Sequence, residues 1–149
     1  MVATDVLPPT IAAAPRPLPA ACDACADAAM LRAMYDAYAR RDLLDVVSCF
    51  APDVVIRQST HLPWGGMYRG LDGVREFYDT LMEHVDSRFE VQEVLPAGER
   101  VIVSGRTRGI ARRTGAAFDL RATHVYEFRR GKVIRMESYV DTPGMIAVL

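Results

Sequence analysis

The sequence has no run of 18 or more apolar residues, although 50% of its 149 residues are hydrophobic. A membrane-spanning helix needs about 20 such residues in succession, so we predict no membrane span. The N-terminus also lacks the basic start and unbroken apolar stretch of a secretory signal, because five of the nine prolines fall within residues 1 to 19. We therefore expect one cytoplasmic domain with a core of useful size.

Cysteine is scarce as well, with Cys22, Cys25 and Cys49 making an odd count of three. No second Cys-x-x-Cys pair and no nearby histidine pair completes a set of four zinc ligands, so we expect neither a metal site nor a disulfide framework. Cys22 and Cys25 have the spacing of a redox motif, but they lie in an Ala/Pro-rich segment rather than at a turn between a strand and a helix.

An excess of one charge sign is absent too, since the formal net charge is −1. Residues 99 to 135 nevertheless contain ten basic and three acidic residues, a local net charge of +7. This stretch either forms a solvated strand face or meets an anionic ligand or an acidic carrier protein. It lacks interleaved aromatic residues at a stacking spacing, so we expect no nucleic-acid partner.

Residues 1 to 27 are rich in alanine and proline and poor in large apolar side chains, which predicts a disordered tail before a domain at 28 to 149. Three amphipathic helices are predicted next, the first two capped by Asp27 and Asp42. A short strand over 54 to 58 and a loop over 59 to 70 precede the third helix. Period-two alternation then predicts strands at about 88 to 96, 100 to 113, 117 to 129 and 132 to 141.

Four stretches of the sequence resemble the SnoaL-like branch of the nuclear transport factor 2 (NTF2) and ketosteroid isomerase superfamily, over about residues 28 to 147. They are residues 38–53, 62–70, 124–133 and 139–142. The resemblance implies an α+β fold, an NTF2-like cone in which three N-terminal helices pack in a strongly curved, mostly antiparallel sheet. It also implies a pocket between the helices and the concave face, a homodimer formed through the outer face, and no cofactor.

The family's catalytic positions are only partly retained. The carboxylate base, tyrosine and protonated aspartate of ketosteroid isomerases correspond to Gln58, Met34 and His124. The arginine of limonene-epoxide-hydrolase-like members corresponds to Arg106, but its acidic partners would fall near Arg108 and Ser138. A SnoaL-type cyclase would use His124 with an acid near Ser138, and only a shifted register would bring in Glu137 or Asp141.

Alternation along the third strand of the meander places five residues on one face, which are Leu120, Ala122, His124, Tyr126 and Phe128. His124 and Tyr126 are the polar members of this row. An imidazole in a largely apolar pocket can exchange a proton near neutral pH, and Tyr126 can donate a hydrogen bond to a carbonyl or enolate oxygen. The alternative is that both are buried core residues with satisfied hydrogen bonds.

Other side chains complete the predicted site. Arg106 either clamps a carboxylate or enolate from inside or is solvated on the outside. We expect substrate contacts from Gln58, Tyr78 and Ser138, and from the loop that would cover the cone's mouth, which carries His61, Trp64 and Tyr68. Asp141 is either an acid in the site or the cap of a final turn.

These residues predict a cofactor-independent enzyme that acts on a small, hydrophobic, carbonyl-bearing molecule. Cyclisation or isomerisation through an enolate is the first expectation, followed by dehydration. Seventeen arginines against one lysine favour a GC-rich genome, which fits bacterial natural-product biosynthesis. The alternatives are a non-catalytic ligand-binding or dimerisation module of the same fold, and an epoxide hydrolase.

Overall fold

The computed structural model describes residues 21–149, which form four helices and six strands within that range. The helices are α1 (Ala21–Ala39), α2 (Leu43–Ser48), α3 (Gly70–His84) and α4 (Thr142–Val148). The strands are β1 (Phe50–Gln58), β2 (Gly66–Arg69), β3 (Val85–Ala97), β4 (Arg100–Ala111), β5 (Ala117–Arg129) and β6 (Lys132–Val140).

All six strands belong to one sheet with the order β2-β1-β6-β5-β4-β3. Strands β3 to β6 form the predicted antiparallel meander, and β1 joins it by pairing parallel to β6. The predicted α+β cone with a mostly antiparallel sheet is therefore confirmed. Because β1 and β6 run in the same direction, the carboxyl ends of both strands lie side by side at the same end of the sheet.

Two glycines on β4 allow the sheet to curl tightly. A Cβ atom added at Gly105 would lie 2.1 Å from the carbonyl oxygen of Glu90, and one at Gly109 would lie 2.1 Å from that of Asp86. Only glycine permits this approach of β3 to β4, and a bulge between Val91 and Glu93 bends β3 further. The sheet thus has a concave face, and the helices pack against it.

The core lies between the concave face and the helices, as the periodicity predicts. The apolar stripe of α1 is buried, with Leu31 and Met34 almost fully enclosed. From α3, Val74, Phe77 and Tyr78 face the same core. Asp42 caps α2 by accepting a hydrogen bond from the Asp45 amide, as predicted.

The structure corrects several predicted boundaries. Helix α1 begins at Ala21, so Asp27 lies inside it and is not its cap; residues 1 to 20 of the predicted tail lie outside the described range. The predicted loop over 59 to 70 contains β2, which pairs with β1. Asp141 caps the additional helix α4 by accepting a hydrogen bond from the Gly144 amide at 3.0 Å. Within the described residues, no helix has the length and apolar character needed to cross a bilayer.

Candidate active site

A cavity lies between helices α1 and α3 and the concave face of the sheet. The centre of a water molecule can occupy about 70 Å³ of it, which is room for a small organic molecule. Most of its wall is aromatic or aliphatic, including Met34, Trp64, Phe77, Phe89 and Met136. Among the described residues, no carboxylate and no lysine or arginine lines it, so the cavity suits a mostly apolar, uncharged ligand.

Three polar side chains form a row across neighbouring strands of the cavity wall. Gln58 on β1 pairs in register with Ser138 on β6, and Ser138 pairs with His124 on β5. All three line the cavity. Because neighbouring strands lie about 4.8 Å apart, one small molecule can span the row from Gln58 to His124.

A chain of hydrogen bonds links His124 to Tyr35 and Tyr35 to Tyr126. The Tyr35 hydroxyl lies 2.6 Å from Nδ1 of His124 and 2.6 Å from the hydroxyl of Tyr126. Tyr35 comes from α1, whereas the other two residues stand two positions apart on β5. The rings of Tyr35 and Phe89 flank the imidazole, with centroids 5.7 and 4.5 Å away. This packing fixes the orientation of the histidine ring.

The distances alone allow either direction for this chain, and we assign the direction by counting protons. The Tyr126 hydroxyl is fully enclosed, and Tyr35 is its only hydrogen-bond partner among the described residues, so its proton is satisfied when it donates to Tyr35. Tyr35 then donates its own proton to Nδ1 of His124. A neutral imidazole that accepts at Nδ1 carries its proton on Nε2. Since Nε2 has no partner among the described residues, this N–H group is left for a ligand in the cavity.

Burial keeps these three groups uncharged at neutral pH. It lowers the pKa of His124 from 6.5 to about 4. It also raises the pKa of Tyr35 and of Tyr126 well above the usual value near 10. At pH 7 His124 is thus a neutral hydrogen-bond donor, and the expectation that it exchanges protons near neutral pH does not fit this environment.

Gln58 is the other unusual polar residue of the wall. It is only 7% exposed, and its Oε1 atom is enclosed without a hydrogen-bond partner among the described residues. An acceptor buried in this way costs about 1–3 kcal/mol of stability. A water molecule or a ligand in the cavity can supply the missing donor.

The structure brings together only some of the predicted site residues. Gln58, Trp64, Tyr78, His124 and Ser138 line the cavity. Tyr126 is fully buried and does not line it, so it reaches a ligand only through Tyr35 and His124. The periodicity of α1 predicts Tyr35 as a core residue and does not predict its hydrogen bonds to His124 and Tyr126. The available signal was a tyrosine in a stripe that faces the predicted histidine row.

Arg106 lies on the outer face of the sheet and does not line this cavity, which is the outward alternative of the sequence-based prediction. Its Nε atom is 2.5 Å from Oδ1 of Asp119, because even-numbered residues of β4 and odd-numbered residues of β5 share that face. Other arginines of the basic stretch pair there as well, such as Arg108 with Glu90 and Arg100 with Glu127.

Two residues of the predicted covering loop also lie away from the cavity wall. Tyr68 packs against Phe77 and donates a hydrogen bond to the Trp64 carbonyl at 3.1 Å. His61 is exposed and borders a groove at the ends of β1 and β6 that shares Gln58, Ser138 and Val140 with the cavity.

A shifted register does not restore a carboxylate to the cavity. Glu137 lies on the outer face and accepts a hydrogen bond from Tyr139 at 2.5 Å. Asp141 is occupied as the cap of α4.

Comparisons with known proteins agree with this fold. Residues 31–136 match the family model of the SnoaL-like domain, and the chain belongs to that family. An NTF2-like protein of unknown function from Burkholderia pseudomallei is 31% identical, with a TM-score of 0.77 over 83% of this chain and 96% of that one.

Two further relatives share most of the chain. TerC, crystallised with polyporic acid, is 26% identical with a TM-score of 0.77, over 83% of this chain and 97% of TerC. An uncharacterised protein of Mycobacterium tuberculosis is 29% identical over 80% of this chain and 92% of its own length.

Proposed function

We propose that the protein is a cofactor-independent enzyme that binds a small, largely apolar carbonyl compound and stabilises its enolate. The observation that supports this most strongly is the hydrogen-bond chain from Tyr126 through Tyr35 to His124. It turns a neutral histidine into a fixed N–H donor in an apolar cavity. A relative crystallised with an organic acid, TerC with polyporic acid, supports the binding of a small organic molecule in this fold.

The chemistry follows from where the donor points. A substrate carbonyl oxygen accepts the hydrogen bond from His124 Nε2. When the C–H bond next to the carbonyl breaks, its electron pair forms the enolate double bond, the carbonyl π pair moves onto oxygen, and the proton passes to water. The negative charge on oxygen strengthens its hydrogen bond to the preoriented imidazole, so the donor stabilises the enolate more than the ketone.

In this proposal His124 is the electrophilic group and not the general base. A neutral imidazole is a suitable donor to a developing enolate, because it polarises the carbonyl without needing a charge buried in the free enzyme. Aldol-type cyclisation, isomerisation and dehydration of a carbonyl compound all pass through such an enolate, and all three fit the cavity.

A second candidate is a ligand-binding module without turnover. The absence of a carboxylate among the described lining residues favours it, since the relatives named in the sequence analysis use carboxylates to move protons. This candidate shares the ligand and the hydrogen bond with the first one. It differs only in that the bound carbonyl compound leaves unchanged.

Exchange of α-protons for deuterium separates the two candidates. With 1-indanone in D₂O as the probe, ¹H NMR should show faster loss of the α-proton signal with the protein than in buffer alone. His124→Gln should reduce the catalysed rate about 10- to 100-fold, in line with the loss of one oxyanion donor. Gln92→Leu, at an exposed glutamine on β3 outside the cavity, is the control and should keep the full rate. Saturable binding of 1-indanone without added exchange would support the module instead.

A further inference from the structure

The unpartnered amide of Gln58 defines a second contact point for the ligand. We propose that the substrate is an uncharged hydroxy-carbonyl compound whose hydroxyl group donates a hydrogen bond to Oε1 of Gln58 while its carbonyl oxygen accepts one from His124. This inference rests on the proposed function and specifies the class of its substrate.

The register of the sheet places the two contact points within one ligand's reach. Gln58 and His124 are both in register with Ser138, from opposite sides, so they stand at the same level of the concave wall. All three line the same cavity. A compact molecule lying over Ser138 therefore meets the amide of Gln58 at one end and the imidazole of His124 at the other.

The hydrogen-bonding capacity of each side chain determines what it binds. His124 offers an N–H group and accepts nothing further, because Nδ1 is occupied by Tyr35. Oε1 of Gln58 is an acceptor that is enclosed and lacks a donor among the described residues. A ligand that brings an acceptor to His124 and a hydroxyl donor to Oε1 of Gln58 satisfies both side chains, and a carbonyl with a separate hydroxyl supplies both.

The charge of the wall excludes ionised ligands from this class. No lysine, arginine or carboxylate lines the cavity within the described residues, and a neutral amide cannot balance a charge. A carboxylate or ammonium group placed there would be desolvated without a counter-ion. A neutral hydroxy ketone has no such penalty, and its carbon skeleton fits the aromatic and aliphatic remainder of the wall.

A matched pair of probes tests the inference by NMR titration. 3-Hydroxy-1-indanone and 1-indanone differ only in the hydroxyl group. We expect the hydroxylated ketone to bind about 3- to 10-fold more tightly, as is typical of one net hydrogen bond. In Gln58→Leu this advantage should disappear, so that the two ketones bind with equal affinity. Gln92→Leu, at an exposed glutamine on β3, is the control and should keep the advantage.

The His124→Gln variant separates this inference from the proposed function. We expect it to weaken both ketones by a similar factor and to leave the hydroxyl advantage in place. Equal affinities of the wild-type protein for the two ketones, or an unchanged advantage in Gln58→Leu, would overturn the Gln58 assignment while leaving the role of His124 intact. Unchanged affinity of His124→Gln for both ketones would instead overturn the proposed function.

Discussion

The Tyr35 hydroxyl lies 2.6 Å from Nδ1 of His124, although the two residues are 89 positions apart in the chain. This contact leaves the histidine one role towards a ligand, that of a donor, because Nδ1 is occupied by Tyr35 and only Nε2 is left to meet a ligand. The tyrosine is in turn held by Tyr126, which has no other hydrogen-bond partner among the described residues. The activity of the cavity should therefore depend on two residues that need not touch the reacting atoms.

Replacing either tyrosine with phenylalanine should weaken catalysis through the tautomer of His124. Tyr35→Phe removes the donor to Nδ1, so we expect α-proton exchange of 1-indanone to fall about 10-fold. Tyr126→Phe leaves that donor in place and should cost less, about 2- to 5-fold. Exchange rates measured by ¹H NMR, beside the affinity for the same ketone, check this order. A larger loss in Tyr126→Phe than in Tyr35→Phe would contradict the direction of the chain.

Stability should fall between pH 7 and pH 4 because of His124. The unfolded chain takes up a proton near pH 6.5, whereas the folded protein resists until pH is about 4, so acid favours the unfolded state. The lowered pKa of His124 corresponds to a difference of about 3 kcal/mol in unfolding free energy between a pH above 6.5 and a pH below 4. Full stability is present above pH 6.5 and is lost as the pH falls towards 4. The carboxyl groups of Asp86 and Asp119, whose pKa values their arginine partners lower, add to this loss of stability from about pH 5 downwards.

Urea denaturation at several pH values measures this effect. His124→Gln lacks the titrating group and should show a flatter profile between pH 7 and pH 4.5 than the wild-type protein. Gln92→Leu, which removes no titrating group, should retain the wild-type slope. Identical slopes for His124→Gln and the wild type would show that the His124 pKa is not lowered.

Gln58→Leu should stabilise the protein even as it removes the hydroxyl contact. The substitution replaces an enclosed, unpartnered acceptor by an apolar group of similar size, and the neighbouring wall is apolar. We expect the free energy of unfolding to rise by about 1 kcal/mol. A loss of stability on chemical denaturation would indicate that the amide has a structural role in the free protein.

The outer face of the sheet should form a homodimer. Ile102 and Val125 are in register on this face, which also carries ion pairs such as Arg106 with Asp119. A face that combines apolar side chains with balanced positive and negative charges is complementary to a second copy of itself. Light scattering after size-exclusion chromatography at micromolar concentration should give twice the chain mass of 16.5 kDa. Val125→Lys should reduce the mass to that of one chain, and a wild-type monomer would contradict the proposal.

Local patterns predicted the helices and the meander, since the apolar stripe of α1 and the alternation on β5 can be read from neighbouring residues. The inward position of His124 follows from that alternation and is confirmed. The polar row of Gln58, Ser138 and His124 was not predictable, because the parallel pairing of β1 with β6 joins segments that are about 80 residues apart in the chain. Strand β2 was missed because its four residues, Gly66–Arg69, are too few to show a period.

The sequence alone also did not determine which side chains of β4 lie on the concave face of the sheet and which lie on the outer face. The alternation along β4 allows Arg106 to lie on either face of the sheet. In the structure Arg106 lies on the outer face, and Gly105 and Gly109 lie on the concave face, where β3 approaches β4 closely. The role of Tyr35 was hidden for a similar reason. A tyrosine in a buried stripe reads as core until its distant partners on β5 are in place.

The tautomer of His124 at pH 7 tests the account most directly. Long-range ¹H–¹⁵N correlation spectra of the uniformly ¹⁵N-labelled protein distinguish the protonated ring nitrogen from the unprotonated one, and comparison with His124→Gln assigns the signals. We predict a neutral ring protonated on Nε2, with Nδ1 shifted as a hydrogen-bond acceptor. A proton on Nδ1, or a charged ring at pH 7, would contradict the account, because His124 would then lack the fixed neutral donor that the proposed chemistry requires.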